Sequence, residues 1–379
     1  MNRIIKRKYE ALIFLIFFFG LFGYLGHHMG LPNLINTLMN TAHDLLLNTV
    51  FFIMGITVLT GALGKLMIEF GVVRLLETIL RPLMRPIFNL PGVASLAGLM
   101  TFFSDNPAII SLSSDKNFRR YFKQYELISL TNFGTAFGMG LIVLTFMSRF
   151  GYFWPAMIGL FGAIAGAAIS TRLMQYQIKK VLPKEDDQEL ASGEAETISF
   201  RSEGSTFERF LNALLDGGKQ GVNLGIQIIP GVLIISSMIM LITFGPKDPS
   251  VGYQGLAYEG VPLLPKAASY LGWLFNALFG FKNPELIAFP ITSLGAVGAA
   301  LSLVKAFIAE GIITGNEIAV FTAMGMCWSG YLSTHTAMLD TLNYRKLTPK
   351  ALISHTIGGI AAGSIAHYLY LLLSLWFII

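Results

Sequence analysis

Seven apolar runs of about twenty residues or more occupy positions 11–30, 45–66, 127–148, 152–173, 222–245, 318–339 and 352–379. About twenty helical residues are what a ~30 Å hydrocarbon layer requires, so the runs are read as membrane spans. Composition agrees: 54% of the 379 residues are hydrophobic and 13% charged, against about 25% charged in an ordinary soluble domain. The fold class is therefore an all-α polytopic membrane protein, because a helix satisfies its own backbone polar groups inside lipid.

The net charge of +5 sits in short Lys/Arg clusters beside spans. That pattern fits the cytoplasmic bias of membrane proteins rather than nucleic-acid binding. The expected partners are the lipid bilayer and a small-molecule solute, with room for a homo-oligomer and none for nucleic acid. A single cysteine, Cys327, lies within an apolar run and excludes an internal disulfide or a cysteine-based metal cluster. Arg3, Lys6, Arg7 and Lys8 precede the first run, and no small-x-small cleavage site follows it. The N-terminus is thus expected in the cytoplasm, with an uncleaved first span in the cell membrane.

Two further apolar stretches, 91–112 and 284–309, are each long enough for one span or for two half-depth arms. Basic residues decide between these. If both stretches dip in and return, all but five of the 27 Lys and Arg fall inside, the exceptions being Arg149, Lys247, Lys266, Lys282 and Lys305. If both crossed, the two sides would be nearly even, so the positive-inside rule favours two re-entrant hairpins and an extracytoplasmic C-terminus.

The same order of elements then appears twice. An N-terminal span and outer loop (1–44) precede repeat one (45–178), which holds a span, an amphipathic interfacial piece at 72–88, hairpin 91–112 and two spans. A polar cytoplasmic linker (179–209) leads to repeat two (210–379), with a span, an interfacial piece at 266–281, hairpin 284–309 and two spans. Glu126, Thr131 and Gly134 recur 191 positions later as Glu317, Thr322 and Gly325. The first spans of the two units run in opposite directions, which makes the repeats inverted.

Inverted repeats with broken helices are a mark of secondary transporters, whose sites use unwound backbone near mid-membrane. Ser104, Asp105, Asn106 and Pro107 interrupt hairpin one, with Pro107 suited to a first helical position. Asp105 and Asn106 either cap that helix or present an intramembrane carboxylate and amide to a solute or ion. The following span carries Asn132, Thr135, Gly138 and Gly140, and its counterpart carries Ser329, Gly330, Ser333, Thr334 and His335. The glycines also suit close helix packing, and His335 either relays protons or is held by its hydroxyl neighbours. Hairpin two turns through 292–296, includes Ser293 and lacks an acid, while Glu126 and Glu317 suit helix starts. His-Glu-x-x-His, Gly-x-Ser-x-Gly and Walker-A patterns are absent, so no enzyme is expected.

This order, with Arg81-Pro-Leu-Met-Arg-Pro-Ile-Phe before hairpin one, Asp105-Asn106-Pro107 within it and the Gly/Asn-rich segment 132–140, resembles the concentrative nucleoside transporters. It also resembles the related nucleoside-recognition or gate-domain membrane proteins, a group that includes sporulation proteins. The resemblance covers about 45–379 and implies hairpin tips meeting two broken spans, with an elevator-like movement. True nucleoside transporters carry a Gln-Thr-Glu-Ala-Pro type run in hairpin one and an Asn-Glu pair in hairpin two. Here Ser104-Asp105-Asn106-Pro107 and Ile291-Thr-Ser-Leu-Gly stand in those places. The expected function is secondary transport of a small polar solute, nucleoside-like or other. Ser104, Asp105, Asn106, Asn132, Thr135, Ser293, Ser329, Ser333 and Thr334 line the site, and Asp105 or His335 couples to Na⁺ or H⁺, with no other cofactor and no metal. The alternative is a non-transporting scaffold or sensor of sporulation or the envelope.

Overall fold

The computed structural model describes residues 2–182 and 204–375. Among these, six helices are long and apolar enough to cross a membrane: Tyr9–Met29, Leu31–Glu69, Gln124–Arg149, Phe153–Val181, Thr206–Leu241 and Arg345–Ser374. The chain is a multi-pass helical membrane protein. The expected seventh span, 318–339, is instead two shorter helices, α17 (Gly315–Cys327) and α18 (Tyr331–Thr341), because Gly330 at φ 65° leaves the helical region between them.

In chain order, α1 (Asn2–Met29) turns at Gly30 into α2 (Leu31–Asp44), which runs through a π-helical turn (Leu45–Val50) into α3 (Phe51–Glu69). The outer loop expected at the end of 1–44 is thus largely helical: Gly30 supplies a φ of 80° and Pro32 sits in the first turn, a helix-start arrangement. Helix α4 (Val72–Phe88) has the expected amphipathic span and ends at Asn89 in the left-handed region. Its last carbonyls, on Pro86 and Ile87, accept hydrogen bonds from the Arg172 guanidinium. Helices α5 (Ala94–Phe103) and α6 (Pro107–Ser114) form hairpin one, followed by α7 (Lys116–Arg119). The next span is broken into α8 (Gln124–Thr135) and α9 (Gly140–Arg149), and α10 (Phe153–Val181) completes the unit.

The expected linker at 179–209 is helical at both ends. Helix α10 continues to Val181, and α11 (Thr206–Gln227) opens with a Ser205/Glu208 capping box; its middle, 183–203, lies outside the described residues, as do the last positions of the final run, 376–379. A π-helical turn (Gly231–Ser236) joins α11 to α12 (Ser237–Leu241). The interfacial piece is two helices, α13 (Leu263–Ser269) and α14 (Gly272–Phe279). Hairpin two comprises a 3₁₀ turn with α15 (Ala288–Gly295), then α16 (Val297–Ala309). Its reversal falls at Ala296, so Thr292 and Ser293 lie within α15 rather than in the turn. After α17 and α18, α19 (Thr348–Ser374) ends the described chain.

The 191-position spacing seen in three residues extends to element boundaries. It carries the ends of α4 onto the start of α13 and the end of α14. It also maps Asp105 at the first hairpin tip onto Ala296 at the second, and left-handed Met139 (φ 55°) onto Gly330 (φ 65°). Glu317 closes a capping box with Thr314 at the start of α17, and Glu126 accepts the Lys123 backbone N–H at the start of α8. Glu126 also pairs with Arg85. Helix α3 packs on α11, and α10 on α19. The α3–α11 seam is tight enough that a Cβ on Gly61 would lie 2.6 Å from the Gly217 carbonyl oxygen, the small-residue contact typical of membrane helices.

The loop between α12 and α13 folds around one buried acid. Glu259, 1% exposed, accepts the backbone N–H groups of Lys247, Gln254 and Leu256 at 3.4, 3.0 and 3.0 Å. Tyr258 donates its backbone N–H to Thr41 and its hydroxyl to Asp44, which fastens the loop to α2; burial beside that carboxylate pushes its phenol up from the ordinary tyrosine value. Removing the acid leaves buried donors unsatisfied, each worth ~1–3 kcal/mol. Glu259→Ala is expected to lower the melting temperature of the purified protein in detergent, with Glu259→Gln losing less.

Candidate functional site

The two hairpin tips and the two helix breaks meet at one place. A cavity of about 350 Å³ lies there, walled by the tip of hairpin one (Asp105, Asn106, Pro107), the tip of hairpin two (Gly295, Ala296, Val297) and the breaks at Met139 and Ser329–Gly330. Ser333 and Thr334 of α18 and Gln227 at the end of α11 add polar groups. The local sequence explains the shape. Pro107 starts α6 and cannot continue a hydrogen-bond ladder from α5, and two left-handed residues stop the facing spans, so backbone polar groups come free at the depth of the cavity.

Asn106 is the joint. It is 6% exposed, and its Nδ2 donates to the Ser329 carbonyl at 3.2 Å and contacts its hydroxyl at 3.4 Å. A Cβ on Gly138 would lie 2.5 Å from the Asn106 amide, and one on Gly330 would lie 2.6 Å from Nδ2. The amide therefore fills the space that glycine leaves at both breaks. Although Asn106 occupies the position before α6, its side chain makes no capping bond there. The Asp105 carboxylate instead faces the backbone N–H groups of Asn106 and Met139. Oδ1 of Asp105 and Oδ1 of Asn106 are both buried without a partner. Such oxygens are costly to leave unmet. Hard cations take oxygen donors of this kind.

Among the residues singled out in the sequence, Asp105, Asn106, Ser329, Ser333 and Thr334 share this cavity. Ser104 lies outside it, on a narrow pocket with Thr57, Thr60 and Gly221. The hydroxyls of Thr135 and Ser293 turn onto their own helices, donating to Thr131 at 2.6 Å and Phe289 at 3.0 Å. Asn132 is fully buried and donates to Ser170 Oγ and the Ala351 carbonyl, both at 2.9 Å. His335 places Nδ1 2.5 Å from the Tyr331 carbonyl, leaves Nε2 without a partner and holds its ring 4.5 Å from that of His355. His355 in turn contacts Ser170 at 2.9 Å and the Cys327 carbonyl. Asn132, Ser170, His355 and His335 thus form a buried polar cluster apart from the cavity lining.

Sequence reasoning did not single out Gln227, Ser170 or His355. The signal for Gln227 was an amide three residues before Pro230 in an apolar run, one of two with Asn223. The other two carry no local signal, because helices distant in sequence bring them to Asn132. Among the described residues no group of three His, Cys, Asp or Glu side chains gathers as metal ligands.

The fold is shared with solved structures of CNTnw, a concentrative nucleoside transporter. A doubly substituted form in an outward-facing state aligns over 98% of this chain and 86% of that one, with a TM-score of 0.55 and 12% identity. An inward-facing substrate-bound form aligns over 83% of this chain and 74% of that one, with a TM-score of 0.52 and 16% identity. A curated relative is the sporulation integral membrane protein YlbJ of Bacillus subtilis (strain 168), 32% identical over 107 residues. The match spans 27% of this chain and 25% of YlbJ. No family model matches.

Proposed function

We propose that this chain is a secondary transporter of a small polar solute, coupled to Na⁺ or H⁺. The observation that carries the reading is the cavity in which both hairpin tips and both helix breaks meet around Asp105 and Asn106. In this reading both hairpins are re-entrant, the repeats are inverted, the N-terminus is cytoplasmic and the C-terminus is extracytoplasmic. The solute binds between Asp105, Asn106, Ser329, Ser333 and Thr334, with Gln227 facing it from the α11 side. Ser104, Asn132, Thr135 and Ser293 support the site from behind. A Na⁺ ion would take the unpartnered oxygens of Asp105 and Asn106 with backbone carbonyls freed at the breaks, while a proton would take the Asp105 carboxylate. Apart from α11, the helices that line the cavity belong to the hairpins and broken spans, which move as a unit against α3 and α11.

The solute is polar because the lining offers one carboxylate, two amides and hydroxyls, and it is small because about 350 Å³ lies at the low end of ligand cavities. Hairpin two contributes no acid, since Ala296 stands at the position corresponding to Asp105, so recognition is one-sided. Uptake into proteoliposomes of nucleosides, amino acids and organic acids, with and without Na⁺ and pH gradients, is expected to show gradient-dependent flux for one class. Absence of such flux across the panel overturns the transport reading. A second reading, a membrane scaffold or sensor using the same cavity in sporulation, is favoured by the match to YlbJ; binding to the cavity without flux would support it.

A further inference from the structure

A second concave site lies away from the cavity, where α7 and the start of α8 meet the turn after α18. It encloses about 480 Å³ and is lined by Lys116, Arg119, Arg120, Gln124, Asn343 and Tyr344, with two leucines at its base. Three cations converge there, and no acid lines the site. The nearest acids in sequence are engaged elsewhere: Asp115 accepts the N–H groups of Asn117 and Phe118 at 2.7 and 3.1 Å, Glu126 pairs with Arg85, and Asp340 faces Arg345 at 3.7 Å. Arg120 is steadied by Tyr121, donating to its hydroxyl at 3.1 Å with its guanidinium 5.1 Å from the ring centroid. Asn343, at φ 64°, is the turn residue that brings its amide to the rim.

We infer that this pocket binds a phosphate group. Topological bias needs basic residues near span ends, but it does not need them to converge on a walled concavity together with two amides and a phenol. Arginine forks and amide N–H groups are the donors that fit phosphate oxygens. The feature is confined to repeat one: the positions corresponding to Lys116, Arg119 and Arg120 are Phe307, Glu310 and Gly311. The occupant bridges the exit of hairpin one and the turn that follows the second broken span, two elements that also frame the cavity. The inference is independent of transport and of the identity of any solute.

The shared chemistry is a phosphate, carried either by an anionic phospholipid headgroup or by a soluble phosphate. The full chain is placed in phosphatidylcholine nanodiscs, and thermal melts are followed while phosphatidylglycerol replaces phosphatidylcholine, or while inorganic phosphate is added at constant ionic strength. Saturable stabilisation is expected in one arm, and the arm that responds names the source. Each charge-assisted hydrogen bond lost from the pocket weakens phosphate binding about tenfold. The triple variant Lys116→Gln/Arg119→Gln/Arg120→Gln is therefore expected to bind about a thousandfold more weakly. The pair Lys346→Gln/Lys350→Gln, outside the pocket, is expected to lose only the general attraction for an anionic surface, about fivefold per charge at most, with both variants melting like the parent in pure phosphatidylcholine. Stabilisation in neither arm, or an equal loss per charge in the control pair, overturns the proposal.

Discussion

Asp105→Asn is expected to abolish gradient-driven uptake while leaving the protein at least as stable as the parent. The carboxylate faces two backbone N–H groups, and its Oδ1 has no partner. An asparagine in its place keeps an acceptor for those donors and removes a buried charge, which is costly at membrane depth. The lost charge removes a hydrogen-bonded ionic contact worth ~3 kcal/mol at most, or about a hundredfold in coupling-ion affinity. Uptake and melting temperature are measured on the same preparation. If Asp105 serves only the helix start, the asparagine still caps it and flux persists; that outcome would remove it from the site.

Gly330→Val is expected to be the most damaging single substitution at the cavity. The residue sits at φ 65°, a conformation that costs a non-glycine residue ~1–2 kcal/mol and a β-branched one more. Its Cβ would meet Thr334 Oγ1 at 2.4 Å and Asn106 Nδ2 at 2.6 Å, and overpacking of that kind costs a further ~1–3 kcal/mol. The substitution therefore breaks the Asn106–Ser329 contact that joins hairpin one to the second broken span. A loss of about 3 kcal/mol in a detergent unfolding titration, with loss of flux, is expected. Gly138→Val strikes the same amide from the other break, 2.5 Å away, but without the positive φ, and is expected to cost less.

Much of this arrangement was legible in the sequence. The amphipathic helix 72–88, the Pro107 start and the acids Glu126 and Glu317 at helix starts came from local chemistry that a reader can see residue by residue. Seven spans became six plus a broken pair, because the hydropathy of 318–339 conceals the left-handed Gly330. The helix at Leu31–Asp44 was missed, since its polar face looks like a loop in a membrane chain. Of the nine residues proposed for the cavity, Asp105, Asn106, Ser329, Ser333 and Thr334 line it, and all five sit at a break or just after one. Asn132, Thr135 and Ser293 lie on helices, and the Asn132 Nδ2 and the two hydroxyls find partners in the packed interior. Gln227 reaches the cavity from a scaffold helix that runs past the breaks, and only tertiary packing shows that.

The proposed transport rests on both hairpins being re-entrant, because a hairpin that crossed the membrane would not return its tip to meet its counterpart. Single cysteines at Arg81 and Lys116 flank hairpin one, and single cysteines at Lys282 and Glu310 flank hairpin two. They are introduced into a Cys327→Ala background, since the natural thiol is buried. Labelling intact cells and inside-out vesicles with a membrane-impermeant maleimide is expected to mark the first pair only from the cytoplasm and the second pair only from outside. A pair whose two members label from opposite faces would show that its hairpin spans, and would contradict the meeting of the two tips around Asp105 and Asn106.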